Sequence, residues 1–293
     1  MSAGLIGITS DQIRVTVSAL GAEMQSLQDA QGRECLWDGN PAFWTGRSPI
    51  LFPIVGRAPE DRISLGDHSA PMAQHGFARR SRFALVAHDA CSCTHELTPT
   101  PDIRAVWPRD FRLRVTHRVA GNTLSVQAEV WNEDSLPMPF GLGFHPAFRW
   151  PLPGAGDQPH IVTLDNGAAP GMARLSGGLL PPERHPSPFE NGRLVLEQSL
   201  FEADAMIFPE GAGTGLCYGP EGGPVLRFRF DTLPNLALWT KPGAPFVCIE
   251  PWHGMAAHLG GSDQIADRPC AVILPAGGRQ VFGWSVGIEP AGA

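Results

Sequence analysis

Arg112-Leu113-Arg114-Val115-Thr116-His117-Arg118-Val119-Ala120-Gly121-Asn122-Thr123-Leu124-Ser125-Val126-Gln127-Ala128-Glu129-Val130-Trp131 is the stretch that decides the fold class. In its first arm Leu113, Val115, His117 and Val119 alternate with Arg112, Arg114, Thr116 and Arg118. In its second arm Leu124, Val126, Ala128 and Val130 alternate with Ser125, Gln127 and Glu129, and Gly121-Asn122 supplies the turn between them. A period of two over both arms specifies an antiparallel hairpin with one apolar and one wet face. Its arginines read as a solvated strand face rather than a phosphate site.

Outward from this hairpin the same pattern recurs in shorter form. Two strands flank Ser10-Asp11, with Ile13, Val15 and Val17 on one face, and another follows Gly21. Ile63-Ser64-Leu65-Gly66-Asp67-His68 reads as a hairpin with a primed turn. Further strands are expected at 225–230, 236–240, 246–250, 271–274 and 280–288. Residues 37–57 form a Trp/Pro/Gly stretch without helical period, read as ordered loop, and 151–193 is read as long loops with short strands. Helical turns are expected only at 102–106 and 262–266. No repeat and no linker emerges, so the expectation is all-β: one domain over residues 1–293, built as a large antiparallel multi-sheet sandwich.

Composition agrees with that class. The 293 residues include 34 glycines and 29 prolines spread between apolar runs, as many strands with tight turns require. Fifteen Phe and eight Trp against one Tyr provide aromatic area for a core or a sugar platform. A net charge of −7 argues against a nucleic-acid surface. Neither a basic leader followed by a long apolar segment nor a bilayer-length run is found, so no membrane partner and a cytoplasmic location are expected. The six cysteines lack Cys-x-x-Cys spacing and read as reduced thiols.

Two polar outliers carry the chemistry. Pro139-Phe140-Gly141-Leu142-Gly143-Phe144-His145-Pro146 sets a histidine after two glycines and before a proline, which biases His145 toward extended backbone. In Phe246-Val247-Cys248-Ile249-Glu250-Pro251-Trp252 an apolar strand runs into a carboxylate. A lone histidine is more simply a core or turn residue; paired with Glu250 it offers an acid and a base. Arg57, after Val55-Gly56, and Gln74-His75-Gly76-Phe77-Ala78-Arg79 add neutral and cationic donors of the kind that hold sugar hydroxyls or a phosphate. Each of these also reads as a surface turn.

Two other motifs lead elsewhere. Gly283-Trp284-Ser285-Val286-Gly287 fits the nucleophile-elbow pattern, but that elbow needs a strand-to-helix turn and a downstream His. Only six residues follow Gly287, and the alternation continues through Ile288, so a serine hydrolase is rejected. His253 and His258 lie five apart beside Glu250, which is not the spacing of a helical zinc motif. No metal and no cofactor are expected.

In order and spacing, these blocks resemble the aldose 1-epimerases, or galactose mutarotase-like proteins. The likeness runs from Leu36-Trp37 and Trp44 through Leu51 to Arg57, Gln74 to Arg79, Gly141 to Pro146, Asp204-Ala205-Met206-Ile207-Phe208 and Ile249-Glu250-Pro251-Trp252. It covers nearly the whole chain and is nearer the bacterial epimerase-like branch than the dedicated galactose enzymes. The Gln74–Arg79 block is also similar to the hexose-6-phosphate mutarotases. The resemblance implies a metal-free β-supersandwich, His145 as general acid, Glu250 as general base, and substrate-binding roles for Arg57, His75 and Asp204.

The residues fit that chemistry on their own terms. Exchanging α and β anomers removes the O1 proton of an aldose, protonates the ring oxygen, rotates C1 and recloses the ring. A carboxylate and an imidazolium on opposite sides of the hemiacetal can do this, with an unperturbed histidine near pKa 6.5 suiting both directions. Trp252 or Phe144 would stack on the sugar, and Gln74 and Arg79 would orient it. The partner is then a small-molecule sugar or sugar phosphate. The competing readings are a hexose-6-phosphate mutarotase, a non-catalytic carbohydrate-binding protein, and a metal-dependent isomerase or oxygenase.

Overall fold

The alternating hairpin forms at Phe111–Ala120 and Thr123–Asn132 in a computed structural model of the protein, which describes residues 4–292. Leu113 pairs with Val130, Val115 with Ala128 and His117 with Val126, all buried on one face. On the other face Arg112, Arg114 and Arg279 lie 5.2–5.6 Å from the Trp131 ring and pair with Glu133, Glu96 and Glu129. This is the solvated strand face that the sequence implied.

The hairpin sits inside an antiparallel sheet of nine strands. Their order is Arg193–Val195, His160–Leu164, Gly215–Pro220, Val225–Asp231, Arg279–Glu289, Thr123–Asn132, Phe111–Ala120, Ser92–Leu97 and Ala84–His88. Ser285 pairs with Ser125 on one side and Arg229 on the other, so it belongs to a central strand and not to an elbow.

A second sheet runs Met206–Phe208, Asn235–Trp239, Phe246–His253, Leu142–Phe144 and Ile50–Leu51, with Ala147–Arg149 also paired to Phe246–His253. Ile50–Leu51 lies within the stretch read as loop. Rings from the two sheets interlock: Phe148 meets Phe228 at 5.1 Å, and Phe144 meets Trp284 at 6.2 Å. Phe144 is therefore committed to the core and cannot be the sugar platform proposed for it. Three further strands, Leu5–Thr9, Arg14–Ser18 and Met24–Gln28, make a small sheet, and Arg62–Leu65 with His68–Pro71 form the expected hairpin around Gly66-Asp67. The helix at Pro101–Val106 is capped by the Thr100 hydroxyl, which accepts from the Ile103 amide. Around 262–266 only the 3-10 turn Ile265–Asp267 forms. No helix among the described residues is long and apolar enough to cross a membrane.

Alternation along Phe246–His253 divides its side chains between two environments. Val247 and Ile249 join the main core, whereas Phe246, Cys248, Glu250 and Trp252 face the opposite way. The neighbouring strand does the same: Leu236 and Leu238 enter the core, while Ala237 and Trp239 sit across from Glu250 and Cys248. The floor of the site is the back of the sheet that covers the core.

Burial of histidine in this core makes stability pH-dependent. His117 is 2% exposed and burial pushes its pKa down to about 3. The unfolded chain, with histidine near 6.5, therefore takes up the proton first. The stabilisation is complete above about pH 6.5 and is lost as pH falls toward 3, by about 2 kcal/mol at pH 5. Urea unfolding of wild type and His117→Leu at pH 7 and pH 5 checks this: the variant should lose distinctly less stability between the two. Equal losses would show that His117 does not carry the effect.

Candidate active site

His145 follows Leu142–Phe144, where its amide donates to Pro49 O at 3.1 Å. Neither Gly141 nor Gly143 has positive φ. Gly143 is needed for close approach: a Cβ there would lie 2.5 Å from Cδ1 of Trp252, its partner across the sheet. The imidazole stacks on Trp44 at 4.9 Å and 29°, and meets the edges of His75 and Trp239 at 5.6 and 5.8 Å. Three rings thus fix its plane. Glu250 is 1% exposed, and its Oε2 lies 3.1 Å from His145 Nε2 without the alignment of a hydrogen bond.

Both groups are displaced from their ordinary ionisation. Burial, with the Arg79 charge nearby, pushes His145 down to about 3. Burial foremost, then the Asp204 carboxylate, holds Glu250 well above the usual carboxylate range, against the opposing pull of the Trp252 indole. Both shifts favour the neutral forms, so a proton shared by the pair is favoured on Glu250 over His145. The histidine is not the unperturbed group of pKa 6.5 that the sequence suggested.

His75 stands at φ +67, next to Gly76 at +72. Its Nδ1 accepts from the Gly56 amide at 3.1 Å. The proton of the neutral ring is thereby confined to Nε2, which stands 3.3 Å from Gln74 Nε2; both are then donors, so no hydrogen bond joins them in this arrangement. Burial drives the His75 pKa well below 6.5, so the ring is a fixed neutral donor. Arg79 donates from Nη2 to Gln74 O at 2.9 Å, and its buried Nε has no partner. Burial lowers its pKa. Asp204, at φ +66, presents its carboxyl to the same cleft while Arg174 donates to its backbone carbonyl.

These groups enclose a cleft of about 360 Å³, within the range of small-ligand sites. His145, Glu250, Gln74, His75, Arg79, Asp204 and Trp252, all singled out in the sequence, line it together. Arg57 does not. Its guanidinium makes two hydrogen bonds to Asp61, at 2.8 and 2.7 Å, and a third to Gly177 O. The Arg57–Asp61 spacing across the turn Pro59–Asp61 contains that pair, and sequence reading overlooked it. Arg80 and Arg82 line a different groove. Trp44 and Trp239 also line the cleft, and neither was assigned there. Trp239 gave no signal, because its strand, Asn235–Trp239, is apolar on both faces beyond Asn235.

One further polar atom lies beside the pair, itself fully buried. Cys248 Sγ, a ring nitrogen of His145 and a carboxylate oxygen of Glu250 lie within 4.8 Å of one another. His253, weighed as a metal ligand, instead has Nδ1 at 2.9 Å from Thr232 O.

Comparison with known proteins agrees with this architecture. The L. lactis protein LacX (chromosomal; Lactococcus lactis subsp. lactis) is 30% identical over 284 residues, covering 92% of this chain and 95% of that protein. A galactose mutarotase related enzyme from Lactobacillus acidophilus superimposes with a TM-score of 0.92 at 27% identity, covering 98% of each chain. A galactose mutarotase-like protein from Lactobacillus casei gives 0.88 at 27% identity, covering 98% of this chain and all of that one. Residues 4–164 match the family described as Aldose 1-epimerase, a span that takes in the cis-Pro loop at Phe52-Pro53, the His75–Arg79 block and His145. With the fold, the chain-wide relatives and the family match in accord, the chain belongs to the aldose 1-epimerase family.

Proposed function

We propose that the protein is a mutarotase that interconverts the α and β anomers of a free aldose, with Glu250 as general base and His145 as general acid. The observation that carries the reading is the 3.1 Å approach of two buried, weakly satisfied groups at the floor of a polar cleft. They stand side by side rather than on opposite faces of a ring. That suits a hemiacetal, whose O1 and ring oxygen are both bonded to C1, so adjacent groups can serve both at once. Passage of the shared proton from Glu250 to His145 gives the working pair. Glu250 then takes the O1 proton as His145 delivers its own to the ring oxygen, and the ring opens. After rotation about C1–C2, the reverse transfers close the other anomer.

His75 Nε2–H and Arg79 would donate to hydroxyls, and Asp204 would accept from them. Trp44, Trp239 and Trp252 offer the apolar sugar face a surface. The site draws on residues from Trp44 to Trp252, which supports reading residues 1–293 as one domain. Arg79 favours a second reading, a 6-phosphosugar, because its Nε is free to bond an anion. Against that reading, Arg57 is paired with Asp61, so no second guanidinium from the Arg57 stretch joins Arg79.

Anomer exchange followed by NMR across free and 6-phosphorylated sugars tests the proposal: catalysis of a free aldose supports it, and none with any sugar would leave only a binding protein. On the best substrate, kcat/KM should run level through pH 6.5 and fall only toward pH 3, where His145 and Glu250 both become protonated. An acid limb centred near 6.5 would contradict the shared-proton pair.

A further inference from the structure

Anomer exchange makes no use of Cys248, yet the fold delivers it to the catalytic pair from two directions. Alternation along Phe246–His253 puts Cys248 and Glu250 on one side of the strand, and Cys248 pairs with Ala147, two residues beyond His145. The three donor atoms then lie within 4.8 Å of one another. We propose that Cys248, Glu250 and His145 form a binding site for a borderline-soft divalent cation such as Zn²⁺, and that the cation competes with the sugar for the catalytic pair.

The donor set selects the ion. Thiolate, imidazole and carboxylate together suit Zn²⁺ or Co²⁺, whereas Mg²⁺ and Ca²⁺ prefer oxygen alone. Around tetrahedral zinc such donors stand roughly 3–4 Å apart, so the three atoms need only a small inward adjustment. His145 and Glu250 both line the cleft, so a cation there would be reached from the side that takes the sugar. A second observation points the same way: Glu250 Oε2, on a residue 1% exposed, has no hydrogen-bond partner, and a bound cation would supply one. The charges also close. The thiol and the Glu250 carboxyl both enter deprotonated, so two protons pass to solvent. Thiolate and carboxylate then neutralise the divalent ion, so Arg79 in the same cleft meets no added net charge.

The competition part rests on the mutarotase reading; the binding part does not, and cobalt separates them. Chelator-treated protein titrated with Co²⁺ should take up one equivalent and develop the near-ultraviolet thiolate-to-cobalt band, and Zn²⁺ should displace it. Cys248→Ala and Cys248→Ser should lose the band and bind Zn²⁺ at least about tenfold more weakly, while keeping anomer exchange within about twofold. Zn²⁺ should raise the apparent KM of the wild-type protein without changing kcat. Absence of the band, or its persistence in both variants, would overturn the site whatever the activity. Equal Zn²⁺ inhibition of wild type and variants, or activity lost on chelation and restored by Zn²⁺, would overturn the competitive role.

Discussion

Glu250→Gln lowers kcat for anomer exchange by about 10²–10⁴-fold, the range general acid–base groups contribute, and leaves the protein folded. The amide matches the carboxylate in shape, so packing against Ala237 and Trp252 survives, but it cannot take the O1 proton. Stability should hold or rise, because a carboxyl with an unpartnered oxygen at 1% exposure is replaced by a group that carries no charge at any pH. His145→Ala should lower kcat by a similar factor, with some added loss of stability, because Trp44, His75 and Trp239 lose the ring they pack around. NMR line exchange on the best sugar, with urea unfolding alongside, separates the effects. Near wild-type exchange in either variant would remove that residue from the mechanism.

Gly76→Ala should produce the largest loss of stability of any single methyl addition near the site, about 2–4 kcal/mol. Two costs add at this residue. Its φ of +72 is one that L side chains rarely adopt, and a Cβ there would lie 2.2 Å from the carbonyl oxygen of Phe52. That oxygen is backbone, bracketed by the Phe52–Pro53 segment and by the Ala78 amide that donates to it, so it cannot swing aside. Relief must come from the His75 side, which would disturb the Gly56 amide bond to Nδ1 and with it the donor aimed at the sugar. The variant should therefore show a lower urea midpoint and a raised KM together. A change under about 0.5 kcal/mol, the size of an ordinary surface substitution, would mean that the turn is more plastic than its geometry implies.

What could be read from sequence, and what could not, follows from the locality of each signal. The hairpin at Phe111–Asn132 declared itself because one face is buried and the other wet, so each residue repeats the message. Ala84–His88 gave no such signal: it is the sheet's edge, exposed at every residue, and alternation has no meaning there. Gly215–Pro220 was hidden by the glycines and proline at its ends. At the site, His145 and Glu250 stood out as polar residues in apolar strands. Trp239 did not, since a tryptophan in a strand is ordinarily core; its place in the cleft, edge-on to His145, is a tertiary contact. Arg57 was placed at the cleft because nearness to a glycine block was weighed above a carboxylate four residues away, with which it pairs.

The strand that carries Glu250 on one side and Val247 and Ile249 on the other ties two fates together. The base cannot be displaced without dismantling the sheet that seals the core, so it belongs to the last cooperative unit to open. The turn bearing His75 and Arg79, and the bend at Asp204, lie outside any long strand and open at lower free energy. On warming, the grip on the sugar would slacken while the chemistry at C1 remained intact, and the two would part company well before the chain melts.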